Sequence, residues 1–214
     1  MWNYVETLLD FILPRKEHAA RTQSRSVDDF LLTPEKHTLL GSTITTLFSY
    51  KSPAVDDCIR ALKYEQSDHA ARLLAQMLGE YLREEITTLR FFSKKPILLV
   101  PLPLHRNRIQ SRGFNQIEKV LKQLSQEFQN GTYSTLATEV LHRSRDTKQQ
   151  TKLSRQERLS NVAGAFDVTS PEVVKGAQII LIDDVTTTGA TLVNAATPLK
   201  KAGAEVTLIA LARA

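Results

Sequence analysis

Residues 179–191 read IILIDDVTTTGAT: four aliphatic residues, two adjacent aspartates, a run of hydroxyls and a glycine. A short aliphatic run bounded by polar residues is the pattern of a strand buried on both faces, as in a parallel sheet covered by helices. Two carboxylates at the end of such a strand repel each other and need water, a cation or hydrogen-bond donors. In open α/β sheets ligands bind outside the carboxyl ends of the strands, so Asp183 and Asp184 stand where a site is expected.

Working outward, PILLVPLPL (96–104) is a second buried strand, bounded by prolines, and EVTLIALAR (205–213) a third. Between the latter and the aspartates, GATLVNAATPLKKAG predicts a helix ended by Gly203. Upstream, TITTLFSY (43–50) has the β-branched and aromatic content of a strand. Residues 54–86 predict two helices, the second with Leu73, Leu74, Met77, Leu78, Tyr81 and Leu82 on one stripe. A helix is expected over about 114–128, and TEVLHRSRD (138–146) as a strand. Residues 4–13 space apolar side chains as a helix stopped by Pro14, and the polar segment 15–37 reads as a loop or linker. Strands alternating with helices at this spacing predict an α/β fold with a mostly parallel sheet. The expected organisation is an N-terminal helix and linker over 1–40, a helical region over 41–90 and the core over 91–214.

The chain has 214 residues, 42% hydrophobic and 24% charged, which suits a globular protein and argues against disorder. With the one cysteine, Cys58, no disulfide framework or cysteine zinc site can form within a chain, and a reducing compartment is implied. Cys58 itself reads as a small buried residue. Glu6 and Asp10 break the apolar opening, no stretch is long enough to span a bilayer, and a soluble cytoplasmic protein without membrane insertion is expected. The formal charge of +5 suits polyanionic partners and equally suits simple solubility.

After the aspartates, TTTGAT offers backbone N–H groups, hydroxyls and a glycine that permits close approach, at the start of a helix whose dipole favours an anion. A phosphate fits there, and carboxylates a few ångströms away can accept hydrogen bonds from hydroxyls on the same molecule. Phosphate beside a vicinal diol describes a ribose 5-phosphate. Neither G-x-x-x-x-G-K-[ST] nor G-x-G-x-x-G occurs. The stretch resembles the phosphoribosyl-diphosphate (PRPP) motif of type I phosphoribosyltransferases. That resemblance implies that Asp183 and Asp184 hold the ribose hydroxyls, while Thr187, Thr188, Gly189, Ala190 and Thr191 cradle the 5-phosphate.

A diphosphate and Mg²⁺ would need a second group of cations and donors. Arg106, Arg108 and Arg112 follow the 96–104 strand in a loop, and read either as that group or as a solvated surface. The long segment 142–166 carries Arg143, Arg145, Lys148, Gln150, Lys152, Arg155 and Arg158, and reads as a basic lid or a solvated, partly helical face. Lys63 reads either as a residue at the pocket mouth or as a helix-end lysine favoured by the macrodipole.

Four stretches in order, YKSPAVDDCIRALKY (50–64), VPLPLHRNRIQSRGFNQ (100–116), RSRDTKQQTKLSRQERLSNVAGAF (143–166) and DDVTTTGAT (183–191), resemble the ComF family of phosphoribosyltransferase-like proteins over roughly residues 40–214. LLDFILP (8–14) resembles that family's opening helix. The resemblance implies a type I phosphoribosyltransferase-like fold with a small N-terminal hood within 41–90. It implies binding of Mg²⁺-PRPP or a ribose 5-phosphate nucleotide and transfer of the phosphoribosyl group to a nitrogenous acceptor. Asp183, Asp184 and Arg112 are the candidate catalytic residues, with Mg²⁺ held indirectly, through bound PRPP. The alternative it implies is a non-catalytic accessory of competence and DNA uptake that binds PRPP or single-stranded DNA, with DNA-uptake proteins or a second copy of the chain as partners. Family members commonly carry a four-cysteine zinc module after the opening helix. Residues 15–37 contain no cysteine, only His18 and His37 as soft ligands, and no structural zinc is expected.

Overall fold

A computed structural model describes residues 16–145 and 164–214. In chain order the elements are α1 (Lys16–Gln23), β1 (Glu35–Leu39), β2 (Ser42–Ser49), α2 (Pro53–Glu65), α3 (Asp68–Phe92), β3 (Ile97–Pro101), α4 (Arg106–Arg112) and α5 (Gln116–Leu121). There follow β4 (Thr135–Leu136), β5 (Leu141–Arg143), β6 (Phe166–Val168), α6 (Pro171–Val174), β7 (Gln178–Thr186), α7 (Ala190–Lys201) and β8 (Glu205–Arg213). Six strands form one sheet in the order β1-β2-β8-β7-β3-β4, while β5 and β6 form a separate antiparallel ribbon. Every pairing in the large sheet is parallel except β1 with β2.

Strand alternation sends successive side chains of β7 to opposite faces, and each face has its own apolar cluster. Ile180 and Ile182 join Ile59 and Leu62 of α2, Leu74, Leu78 and Leu82 of α3, and Ile117 and Leu121 of α5. Ile179 and Leu181 join Leu192, Ala195 and Leu199 of α7 and Leu141 and Phe166 of the ribbon. Burying one such leucine or isoleucine fully is worth about 1.5–3 kcal/mol, so a strand flanked by both clusters is fixed in register. The Ser67 hydroxyl caps α3 by accepting from the Ala70 N–H at 3.2 Å. The apolar stripe expected for this helix is its buried face.

Three expectations are corrected. Within the segment read as loop, residues 16–23 form α1 and 35–39 form β1. β1 turns into β2 through Leu40 and Gly41, at φ 52° and 72°, a pair of left-handed residues that closes a tight hairpin. The arginine segment after β3 is helical, because His105 Nδ1 accepts from the Asn107 N–H at 3.3 Å and Gly113, at φ 84°, ends the turn. The helix expected over 114–128 is shorter. Asn115 Oδ1 accepts from the N–H groups of Ile117 and Glu118 and so starts it at Gln116. Past Leu121 the chain folds back to set Leu124 and Phe128 beside Gly79 of α3. The helix expected over 4–13 lies outside the described residues.

Candidate functional site

Because β3, β7, β8 and β2 run parallel, their carboxyl ends share one edge of the sheet, and Asp183 and Asp184 lie at that edge on β7. The chain leaves β7 through Thr187 and Thr188 and enters α7 at Gly189, whose φ of 74° is left-handed. A side chain there has no room: a Cβ would stand 2.6 Å from Ile44 Cδ1 and 3.0 Å from Leu39 Cβ. The β1–β2 hairpin therefore braces the loop from behind. Thr188 Oγ1 accepts from the Ala190 N–H at 3.4 Å, and Asn194 Nδ2 donates to the Ala190 carbonyl at 2.8 Å. Thr187 is exposed, Thr188 and Thr191 are half-buried, and Gly189 and Ala190 are buried.

The two aspartates have different surroundings. Asp184 is buried; its Oδ2 accepts from Gln116 Nε2 at 2.6 Å and lies 3.1 Å from Lys63 Nζ, and its Oδ1 accepts from the Val185 N–H at 2.5 Å. Gln116 in turn accepts from Arg112 Nη1 at 2.8 Å, and Gln66 Nε2 donates to the Arg112 carbonyl at 3.3 Å. A chain of contacts thus runs from the end of α2 through β7 and α5 to α4. Burial lowers the Arg112 pKa, against the Asp184 carboxylate, which raises it.

Asp183 keeps a path to solvent but is crowded closely enough that its charge is poorly solvated. This desolvation, followed by the neighbouring Asp184 charge, pushes its carboxyl up to about 7, against the Asp184 N–H, Lys63 and Arg143. The Asp184 N–H donates to Asp183 Oδ1 at 2.8 Å. Arg143, on β5 and buried, lies over the Phe166 ring with its guanidinium carbon 5.4 Å from the centroid.

The structure therefore brings Asp183, Asp184, Arg112 and Arg143 together at the sheet edge, with the 187–191 loop beside them. Arg106 and Arg108 lie on α4, exposed and half-buried; Arg108 acts on Arg112 as a like charge. Lys148, Gln150 and Arg158 lie outside the described residues. Lys63, left open in the sequence, is in contact with Asp184. Gln116 is a contact that charge patterning does not mark; its one signal in the sequence is its place as the last residue of the 100–116 stretch. Elsewhere, His18 lies against Asp57 and His37 against Thr46, on separate elements. Burial pushes the Cys58 thiol up to about 12, which leaves it no nucleophilic character at neutral pH.

Residues 109–214 match the phosphoribosyl transferase domain, and sheet, loop and acidic pair together define a phosphoribosyltransferase-like protein. Over 158 residues the chain is 31% identical to Competence protein F of Haemophilus influenzae, covering 73% of this chain and 66% of that one. It is 31% identical over 162 residues to the DNA utilization protein YhgH of Escherichia coli, covering 75% and 67%. It is 27% identical over 166 residues to the competence protein ComFC of Streptococcus pneumoniae, covering 78% and 66%. The chain spans about two thirds of the length of these relatives, and it belongs to the ComF family of phosphoribosyltransferase-like proteins.

Proposed function

We propose that this protein binds Mg²⁺-PRPP or a ribose 5-phosphate nucleotide at the shared carboxyl edge of β3 and β7, and transfers the phosphoribosyl group to a nitrogenous acceptor. The observation that carries the reading is the placement of Asp183 and Asp184 beside a loop that enters α7 through left-handed Gly189. Backbone N–H groups and threonine hydroxyls at a helix start suit a 5-phosphate, and adjacent carboxylate oxygens suit ribose hydroxyls.

In this reading the C1–oxygen bond of the ribose breaks, the electron pair leaves with diphosphate, and the acceptor nitrogen bonds C1 from the opposite face. The acidic end of β7 orients the ring; Arg112, with Arg106 and Arg108 on the same helix and Arg143 on the ribbon, meets the negative charge that develops on the leaving group. Among the described residues no group of three acidic, histidine or cysteine side chains could hold a metal ion, and Asp184 already has Lys63 beside it. The residues fit Mg²⁺ carried by the diphosphate and held through the ligand, where the ion would supply charge neutralisation of the leaving group. Among the described residues no helix is long and apolar enough to cross a membrane, and a cytoplasmic location is proposed from the single thiol.

Calorimetric titration of Mg²⁺-PRPP into wild type and Asp183→Asn/Asp184→Asn tests the reading: saturable binding is expected in the first and not in the second. A folded wild type that takes up no PRPP overturns it. A second reading, an accessory role in DNA uptake with single-stranded DNA or an uptake protein as partner, is supported by the names of the relatives and the charge of +5. With single-stranded DNA as the partner it requires an affinity that falls with salt, at a log–log slope of about −0.7 per phosphate contacted.

A further inference from the structure

We propose that Lys63 divides the labour of the acidic pair: it holds Asp184 as a fixed counter-ion, so that Asp183 is the carboxylate that accepts the ribose hydroxyls. This rests on the ribose 5-phosphate reading of the site and goes beyond it, because Lys63 comes from the last turn of α2, far upstream of the loop.

Adjacent strand residues point to opposite faces, so each aspartate is approached from a different side. On the Asp184 side three donors already occupy a buried carboxylate with about four acceptor sites. Lys63 Nζ and Gln116 Nε2 share Oδ2 at 3.1 and 2.6 Å, and the Val185 N–H occupies Oδ1 at 2.5 Å. Gln116 is fixed from behind by Arg112 at 2.8 Å, and Gln116 and Asp184 are both buried. The side chains of Lys63 and Asp184 are 20% and 8% exposed, so water screens the pair weakly. A ribose hydroxyl reaching Asp184 would meet a carboxylate whose charge Lys63 already balances and whose Oδ2 is filled by two donors, with only the Oδ1 beside the Val185 N–H left to share.

On the Asp183 side the contact at hydrogen-bond distance among the described residues is the Asp184 N–H, at 2.8 Å to Oδ1, and the side chain keeps access to solvent. Its second oxygen is open to a hydroxyl donor. The charge balance agrees. A phosphorylated sugar is polyanionic, and two uncompensated carboxylates would repel it; Lys63 cancels one, and the other suffices to orient the ring. Lys63 is thus a positioning residue, acting on the ligand through Asp184.

A four-protein cycle tests this: wild type, Lys63→Met, Asp184→Asn and Lys63→Met/Asp184→Asn, each titrated with Mg²⁺-PRPP and melted without ligand, with Asp183→Asn and Lys63→Arg alongside. Lys63→Met is expected to bind about tenfold more weakly, because it leaves Asp184 buried and unpaired. Asp184→Asn is expected to lose about threefold or less, and the double variant to return to the Asp184→Asn level rather than add the losses. Lys63→Arg keeps the cation and should stay within about threefold of wild type, while Asp183→Asn should lose more than about thirtyfold. A lysine that only stabilises the fold would give the same recovery in melting temperature but would leave the affinity of the folded protein unchanged across the cycle.

If the double variant binds as weakly as Lys63→Met, Lys63 touches the ligand itself and the division of labour is overturned. It is also overturned if Asp184→Asn loses as much as Asp183→Asn, or if the melting-temperature losses of the two single variants simply add. Wild type that binds no Mg²⁺-PRPP, with coupled melting losses, is a different failure: the ribose 5-phosphate reading falls and takes the assignment of Asp183 with it.

Discussion

Asp183 couples the site to stability through its proton. Its folded pKa of about 7 lies above the ordinary carboxylate value of about 3.9. Between those values the folded state binds more proton than the unfolded chain, so stability falls as pH rises from about 4 to about 7 and the whole cost is present above that. Each pKa unit is worth about 1.4 kcal/mol, and in a chain of this size 1 kcal/mol moves the melting temperature by about 2–4 °C. Asp183→Asn removes the ionisation. Thermal melts without ligand should show it several degrees above wild type at pH 8, with the gap closing toward pH 4. A gap that is the same at both pH values would mean that the ionisation of Asp183 costs the fold nothing. The two aspartates were legible as a site because charge at the end of an aliphatic run contradicts core packing. Gln116 was not, since an uncharged amide has no such contrast and its partner is 68 positions away.

At the scale of elements, the loop before α7 depends on a hairpin that the sequence hides. β3, β7 and β8 were readable because strands flanked by two apolar layers are aliphatic runs. β1, with the sequence EKHTL, lies at the sheet edge with most of its residues exposed, so it carries neither an aliphatic run nor strict alternation. Its turn uses Leu40-Gly41 where Asn-Gly is the usual signal. α4 was likewise hidden: it buries no residue, and its arginines read as loop. The hairpin's contribution can be measured at Gly189. Alanine there would hold a left-handed backbone at about 1–2 kcal/mol and press a methyl against Leu39 Cβ and Ile44 Cδ1, adding about 1–3 kcal/mol. Leu39 Cβ sits next to the backbone and cannot swing aside. Gly189→Ala should lower the melting temperature by several degrees and abolish phosphate-ester binding in the same calorimetric titration. Retained binding would show that the hairpin does not set the loop.

At the scale of the molecule, α1 is tied to the rest of the chain largely by charge. It reads as linker because residues 16–23 carry few apolar side chains, and its helix is fixed by α2 instead. The Glu65 carboxylate accepts from the N–H groups of His18 and Ala19 at 3.3 and 2.7 Å, satisfying donors at the helix start. Buried Asp57 faces three basic side chains: His18 Nδ1 at 3.0 Å, Arg21 Nε at 3.2 Å and Arg25 Nη2 at 3.5 Å. Arg21 is about half exposed, so its share is screened, whereas the contacts to His18 and Arg25 lie in a drier environment. Asp57→Asn keeps the shape and removes the charge that gathers these groups, at a cost of about 1–3 kcal/mol. The partners of the lost contacts belong to α1, the turn after it that carries Arg25, and α2, while β7 and α7 are held by apolar clusters that Asp57 does not enter. The loss should therefore be local. Hydrogen exchange in Asp57→Asn should quicken at the α1 amides about tenfold or more while the β7 amides follow only the change in global stability. Uniform quickening across β7 and α1 would show instead that α1 and the sheet unfold as one unit.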